Sequence, residues 1–101
     1  MSLYPFQRLS AEESSKRASL LSPGWEIIDG HHLKKVFEVP SFAKGLDFVN
    51  QVGGVAEQMN HHPNVFLSFQ QVVLEMYSHK LGGLCFADFE LAQQIDQLKK
   101  P

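Results

Sequence analysis

The chain has 101 residues, 44% of them hydrophobic and 20% charged, with a net charge of -2. That length supports one core without metal or disulfide staples, and the near-balanced charge gives no general electrostatic reason to bind nucleic acid. No 18-residue apolar run is present to cross a membrane, and the single cysteine, Cys85, excludes an internal disulfide and fits a reducing compartment.

The expectation is therefore one domain over residues 1–101, soluble and cytoplasmic, without a signal region. Residues 1–8 read as a loose N-terminal arm. Ser10-Ala-Glu-Glu13 reads as a capping box opening a helix that ends near Leu21, before Ser22-Pro23-Gly24. A strand is expected over Trp25–Asp29, with Trp25 and Ile27 on one face. Asp29-Gly30 is a tight-turn pair leading to a second strand over residues 31–39, where Leu33, Phe37 and Val39 share a face.

Pro40-Ser41 breaks that strand, and Ser41 is placed to cap a helix over residues 42–60. Phe42, Leu46, Val49, Val52, Ala56 and Met59 follow helical spacing there. Gly53-Gly54 interrupts the pattern at about 1 kcal/mol each relative to alanine, which suits either close packing or tolerance at a solvent face. The helix stops near His61-His62, because the residue before Pro63 is pushed out of the helical region. Strands are expected over 64–69 and 72–78, joined at Gln70-Gln71, and a last helix over 86–99 with Cys85 at its N-cap and Asp88 at N3. Two antiparallel hairpins with helices over one face make an α+β sandwich.

Chemistry concentrates in Glu57-Gln-Met-Asn-His61-His62-Pro63 and His79. Three of the five histidines fall in this window, and imidazole, with an unperturbed pKa of about 6.5, both gives and takes protons near neutrality. Were the helix to run through residue 61, Glu57 and His61 would be an i,i+4 pair, with the carboxylate orienting the ring and favouring its protonated form. A histidine at a helix C-terminus also has a dipole reason to be there. Zinc is a competing reading, since three histidines and a carboxylate form a possible ligand set. Against it, adjacent His61 and His62 point apart and no HExxH-like pair exists. His31 and His32 follow the first hairpin turn and read as exposed.

At these residues the chain resembles the pterin-4a-carbinolamine dehydratase family, on Glu57, His61-His62-Pro63, Phe69, His79 and Asp88, with Leu9-Ser10-Ala-Glu-Glu13 and Gly24-Trp25 upstream. The resemblance covers nearly the whole chain. Val65 stands where the family often has tryptophan, and Cys85 where serine or threonine commonly caps the last helix. The resemblance implies a four-stranded antiparallel sheet with three helices on one face. It further implies dehydration of a 4a-hydroxytetrahydropterin to the quinonoid dihydropterin in pterin recycling, with no cofactor or metal and the pterin as substrate. His61 and His79 are then the proton-transfer groups, with His62 assisting. Substrate contacts are expected from Glu57, Pro63, Ser78, Lys80, Leu81 and Asp88, with Glu57 orienting His61. A homodimer or homotetramer is implied. The alternative is a non-catalytic dimerisation or coactivator module of the same fold, using the exposed face of the 42–60 helix.

Overall fold

The computed structural model describes residues 7–99. Most of the arm expected at residues 1–8 therefore lies outside the described residues. At its end the expectation is corrected: Arg8 bridges Cys85 in antiparallel fashion, and the Leu9 N–H donates to the Leu84 carbonyl at 2.8 Å.

The elements run α1 (Ala11–Ala18), β1 (Glu26–Ile28), β2 (His32–Glu38), α2 (Phe42–Met59), β3 (Asn64–Leu67), β4 (Gln71–Met76), a 3-10 turn (His79–Leu81) and α3 (Phe86–Asp96). The order is the one expected, with shorter ends. Ser10 Oγ accepts from the Glu13 N–H at 3.1 Å and starts α1. Residues 20 and 21 then bond back only three positions, to Arg17 and Ala18, so the helix tightens and stops at Ala18 rather than Leu21. The same i−3 bonding at Gln97 and Leu98 closes α3 at Asp96.

The sheet has order β1-β2-β4-β3 and is antiparallel throughout. The two hairpins therefore join through their inner strands, with Leu33 opposite Met76 and Phe37 opposite Val72. Asp29 and Gly30 turn the first hairpin with φ of 53° and 65°, a left-handed pair that aspartate tolerates and glycine favours. Period-two alternation puts Leu33, Phe37, Val72, Leu74 and Met76 beneath the helices, where they meet Phe48 and Val52 of α2 and Leu91 and Ile95 of α3.

Lys35 also falls on the helix side of β2. Its ammonium lies 3.6 Å from the Asp96 carboxylate and over the rings of Phe37 and Trp25. Trp25 Nε1 donates to the same carboxylate at 2.9 Å, tying β1 to the end of α3.

The glycines of α2 divide in a way the sequence did not indicate. A Cβ at Gly53 or Gly54 would meet nothing within 4 Å, so neither marks close packing inside this chain. Gly45 does. A Cβ there would fall 2.7 Å from Leu67 Cδ1 and 3.3 Å from Val39 Cγ2, so its absence lets α2 rest on β3.

Candidate active site

The end of α2 sets the site. The helix stops at Met59, and Asn60 takes a left-handed conformation at φ 52°. The Asn60 N–H bonds to the Glu57 carbonyl and the His61 N–H to the Ala56 carbonyl at 3.1 Å. These are the two bonds of a Schellman motif, with asparagine in the position glycine usually fills. Because the helix is already closed, Glu57 and His61 are not on one helical face, and the expected i,i+4 pair is absent.

The carboxylates are exchanged relative to that expectation. Glu57 reaches His62, its Oε2 bonding to Nε2 in an exposed pair. His61 instead donates from Nε2 to Asp88 Oδ1 at 2.6 Å, across 27 residues of chain. Each pairing occupies Nε2 and leaves Nδ1 as the ring nitrogen open to another partner.

Asp88 is 0% exposed. A carboxylate buried this far must be well partnered, and it is. Besides His61, it accepts from the Cys85 N–H at 2.8 Å and from Ser78 Oγ at 3.2 Å. It also sits in the first turn of α3, where the helix dipole favours negative charge. Since the one hydroxyl proton of Ser78 goes to Asp88, the Cys85 thiol is the donor in the 2.9 Å contact between Sγ and Ser78 Oγ. Burial pushes the Cys85 thiol above its ordinary value of 9.0, with the Asp88 charge adding in the same direction.

His61, His62 and His79 line one cavity of about 640 Å³, together with Asn60, Pro63, Asn64, Tyr77, Ser78, Lys80 and Leu81. It forms where the end of α2, the start of β3 and the loop after β4 converge. Of the residues expected to contact substrate, Pro63, Ser78, Lys80 and Leu81 line it. Glu57 and Asp88 do not, because one lies outside His62 and the other behind His61; both act on the cavity through an imidazole.

Ser78 lines the cavity with its groups already engaged. Its N–H bonds to Gly83, its carbonyl accepts from Leu81 and Gly82, and its hydroxyl holds Asp88. The Leu81 N–H and the His79 carbonyl are likewise engaged, by the Ser78 carbonyl and the Gly82 N–H. Phe69 is in the β3–β4 turn, 72% exposed, at the opposite end of these strands from the cavity.

Asn60, Asn64 and Tyr77 complete the lining beyond the residues expected from the sequence. Asn60 carried a usable signal, being a residue tolerant of left-handed φ directly before the histidine pair. His31 and His32 are half-buried rather than exposed, with Nδ1 atoms 3.2 Å apart. Among the described residues, no group of three or more His, Cys, Asp or Glu side chains is arranged to hold a metal ion, and no helix is long and apolar enough to cross a membrane.

The family model for pterin 4 alpha carbinolamine dehydratase matches residues 7–98. Proteins named "Putative pterin-4-alpha-carbinolamine dehydratase" are similar in sequence. The one from Rubrobacter xylanophilus is 41% identical over 89% of this chain and 83% of its own length, and the one from Nitrosococcus oceani is 42% identical over 77% and 72%. In structure, the chain superposes on a transcriptional coactivator/pterin dehydratase from Brucella melitensis with a TM-score of 0.83 at 25% identity, covering 89% of this chain and 96% of that one. The protein thus belongs to the pterin 4 alpha carbinolamine dehydratase family.

Proposed function

We propose that the protein removes water from a 4a-hydroxytetrahydropterin, giving the quinonoid dihydropterin in pterin cofactor recycling. The observation that carries this reading is the convergence of His61, His62 and His79 on one cavity. The bond from carbon 4a to its hydroxyl breaks, the hydroxyl takes a proton and leaves as water, and a ring-nitrogen proton passes to a base. No electrons are exchanged with a second molecule, so the reading needs neither cofactor nor metal. Two imidazoles with open nitrogens supply the acid and the base: His61 through Nδ1, and His79 through either ring nitrogen. His62 binds the pterin and assists. Asp88 holds His61 in one tautomer and orientation, and Glu57 does the same for His62.

The test is to generate the carbinolamine with a pterin-dependent hydroxylase and follow its ultraviolet absorbance. Wild-type protein should speed the decay, and His61→Ala or His79→Ala should lower kcat by roughly 10²–10⁴-fold, the range of a general acid or base. A wild-type protein that leaves the decay unchanged would remove the reading. A chelator should have no effect.

Homo-oligomerisation belongs to the same proposal. Phe42 and Leu46 on α2 are 45% and 43% exposed, and Phe66 on edge strand β3 is 55% exposed, apolar area that a second copy would cover. Light scattering of the purified protein decides it. The coactivator reading takes its support from the Brucella protein's description. It predicts wild-type partner binding in a His61→Ala variant that has lost dehydration.

A further inference from the structure

The three imidazoles of the cavity are not held in the same way. His61 and His62 each have a carboxylate. His79 is exposed, begins the short 3-10 turn, and makes no ring-nitrogen hydrogen bond among the described residues. Both its nitrogens are free to serve a ligand, but nothing polar fixes the ring. What touches it is Tyr77, with ring centroids 4.3 Å apart at 42°. Tyr77 in turn contacts His31, at 4.4 Å and 45°. The phenol ring of Tyr77 thus touches both imidazoles.

The sheet explains the meeting. Leu33 pairs with Met76 under the helices, so the next positions, His32 and Tyr77, fall on the opposite face. The first hairpin turn then brings His31 over the phenol. His31 is held by its Nδ1 contact with His32 Nδ1 at 3.2 Å, and His32 by Glu75 at 3.9 Å.

We infer that Tyr77, backed by His31, is the positioning residue for His79, replacing with an aromatic stack the carboxylate that orients the other two imidazoles. This deepens the proposed dehydration and rests on it for its kinetic consequence. An aromatic pair changes the population of a ring orientation by roughly 2–10-fold. A catalytic group displaced by a fraction of an ångström loses rate at least in that proportion.

The test has a kinetic arm and a spectroscopic arm. In carbinolamine dehydration, Tyr77→Leu should lower kcat on the order of tenfold, while Tyr77→Phe, which keeps the ring, should retain at least half of it. His31 does not line the cavity, so His31→Ala should lower kcat about threefold with KM unchanged. In proton NMR, the His79 ring signals should carry the ring-current displacement of Tyr77. They should move toward the position of a freely solvated histidine in Tyr77→Leu but not in Tyr77→Phe.

Equal kcat losses in Tyr77→Phe and Tyr77→Leu would overturn the inference, since they would assign the effect to the hydroxyl. So would unmoved His79 signals in Tyr77→Leu. Should wild-type protein fail to dehydrate the carbinolamine, the proposed function falls, and the NMR arm still decides whether the stack holds His79. Should Tyr77→Leu not fold, Tyr77→Phe and His31→Ala carry the test, and His79 signals unmoved in His31→Ala together with wild-type kcat in that variant would overturn it.

Discussion

The chain contains two His-His pairs, and they end in different situations. His31-His32 and His61-His62 each follow residues in left-handed conformation, Asp29-Gly30 in one case and Asn60 in the other. The first turn leads into β2, whose first residue is His32, and the second follows the end of α2. At the first pair the rings turn on each other, sharing an Nδ1 contact. At the second pair each ring meets its own carboxylate through Nε2, and both residues line a cavity. Adjacency in sequence is common to both pairs; the partners of each ring separate them. Two of the three imidazoles of the cavity thus have one nitrogen anchored by a carboxylate, while His79 has neither nitrogen so held among the described residues.

The comparison breaks most severely at Asp88. Asp88→Ala removes the anchor of His61 and strands the Cys85 N–H and the Ser78 hydroxyl in a buried place. We expect kcat to fall by about 10²-fold or more and urea denaturation to show a loss of about 2–4 kcal/mol. At the other pair, Glu75→Gln next to His32 should change kcat less than twofold, measured in the same dehydration assay. A small effect of Asp88→Ala on both readouts would erase the distinction drawn between the pairs.

Glu57→Gln sharpens it. The Glu57–His62 pair is solvent-exposed, with side chains 77% and 53% accessible, so screening keeps its contribution small. A loss of about threefold in kcat/KM is expected, diminishing as salt is raised, with the thermal midpoint unchanged. The turns come next. Asn60→Ala and Asp29→Ala each place alanine at positive φ and should destabilise by about 1 kcal/mol. Asn60→Ala should reduce kcat more than Asp29→Ala, because Asn60 itself lines the cavity.

The smallest effect is at Cys85. Its folded thiol titrates above the ordinary 9.0 because burial disfavours the thiolate. The associated stability is fully present below that pH and is lost as pH rises through the folded value. Denaturation curves above pH 9 should therefore fall more steeply for wild type than for Cys85→Ser, which has no thiol to ionise.

Much of the architecture was legible along the chain. Apolar alternation in β2 and β4, helical spacing in α2, the Asp29-Gly30 turn and the Ser10 and Ser41 caps all rest on interactions within a few residues of one another. The His-His-Pro segment and His79 were legible as chemistry for the same local reason. The ends of elements were less so, since α1 and α3 close in tight i−3 turns that leave no composition signal. Gly45 and Gly53 look equivalent in sequence, and only packing on Leu67 distinguishes them. Lys35 sits among aromatic rings with Asp96 meeting it from the far end of the chain, a partner 61 residues away.

By itself, then, the sequence determined the order of elements, which faces are apolar and where the imidazoles lie along the chain, because those properties depend on near neighbours. Tertiary structure alone decided which carboxylate anchors which ring. Asp88 reaches His61 only when α3 docks against the end of α2, and His31 reaches Tyr77 only when β2 pairs with β4. Such partnerships depend on where elements are set in space, and side chains 27 or 46 residues apart carry no mark of it in their own neighbourhoods.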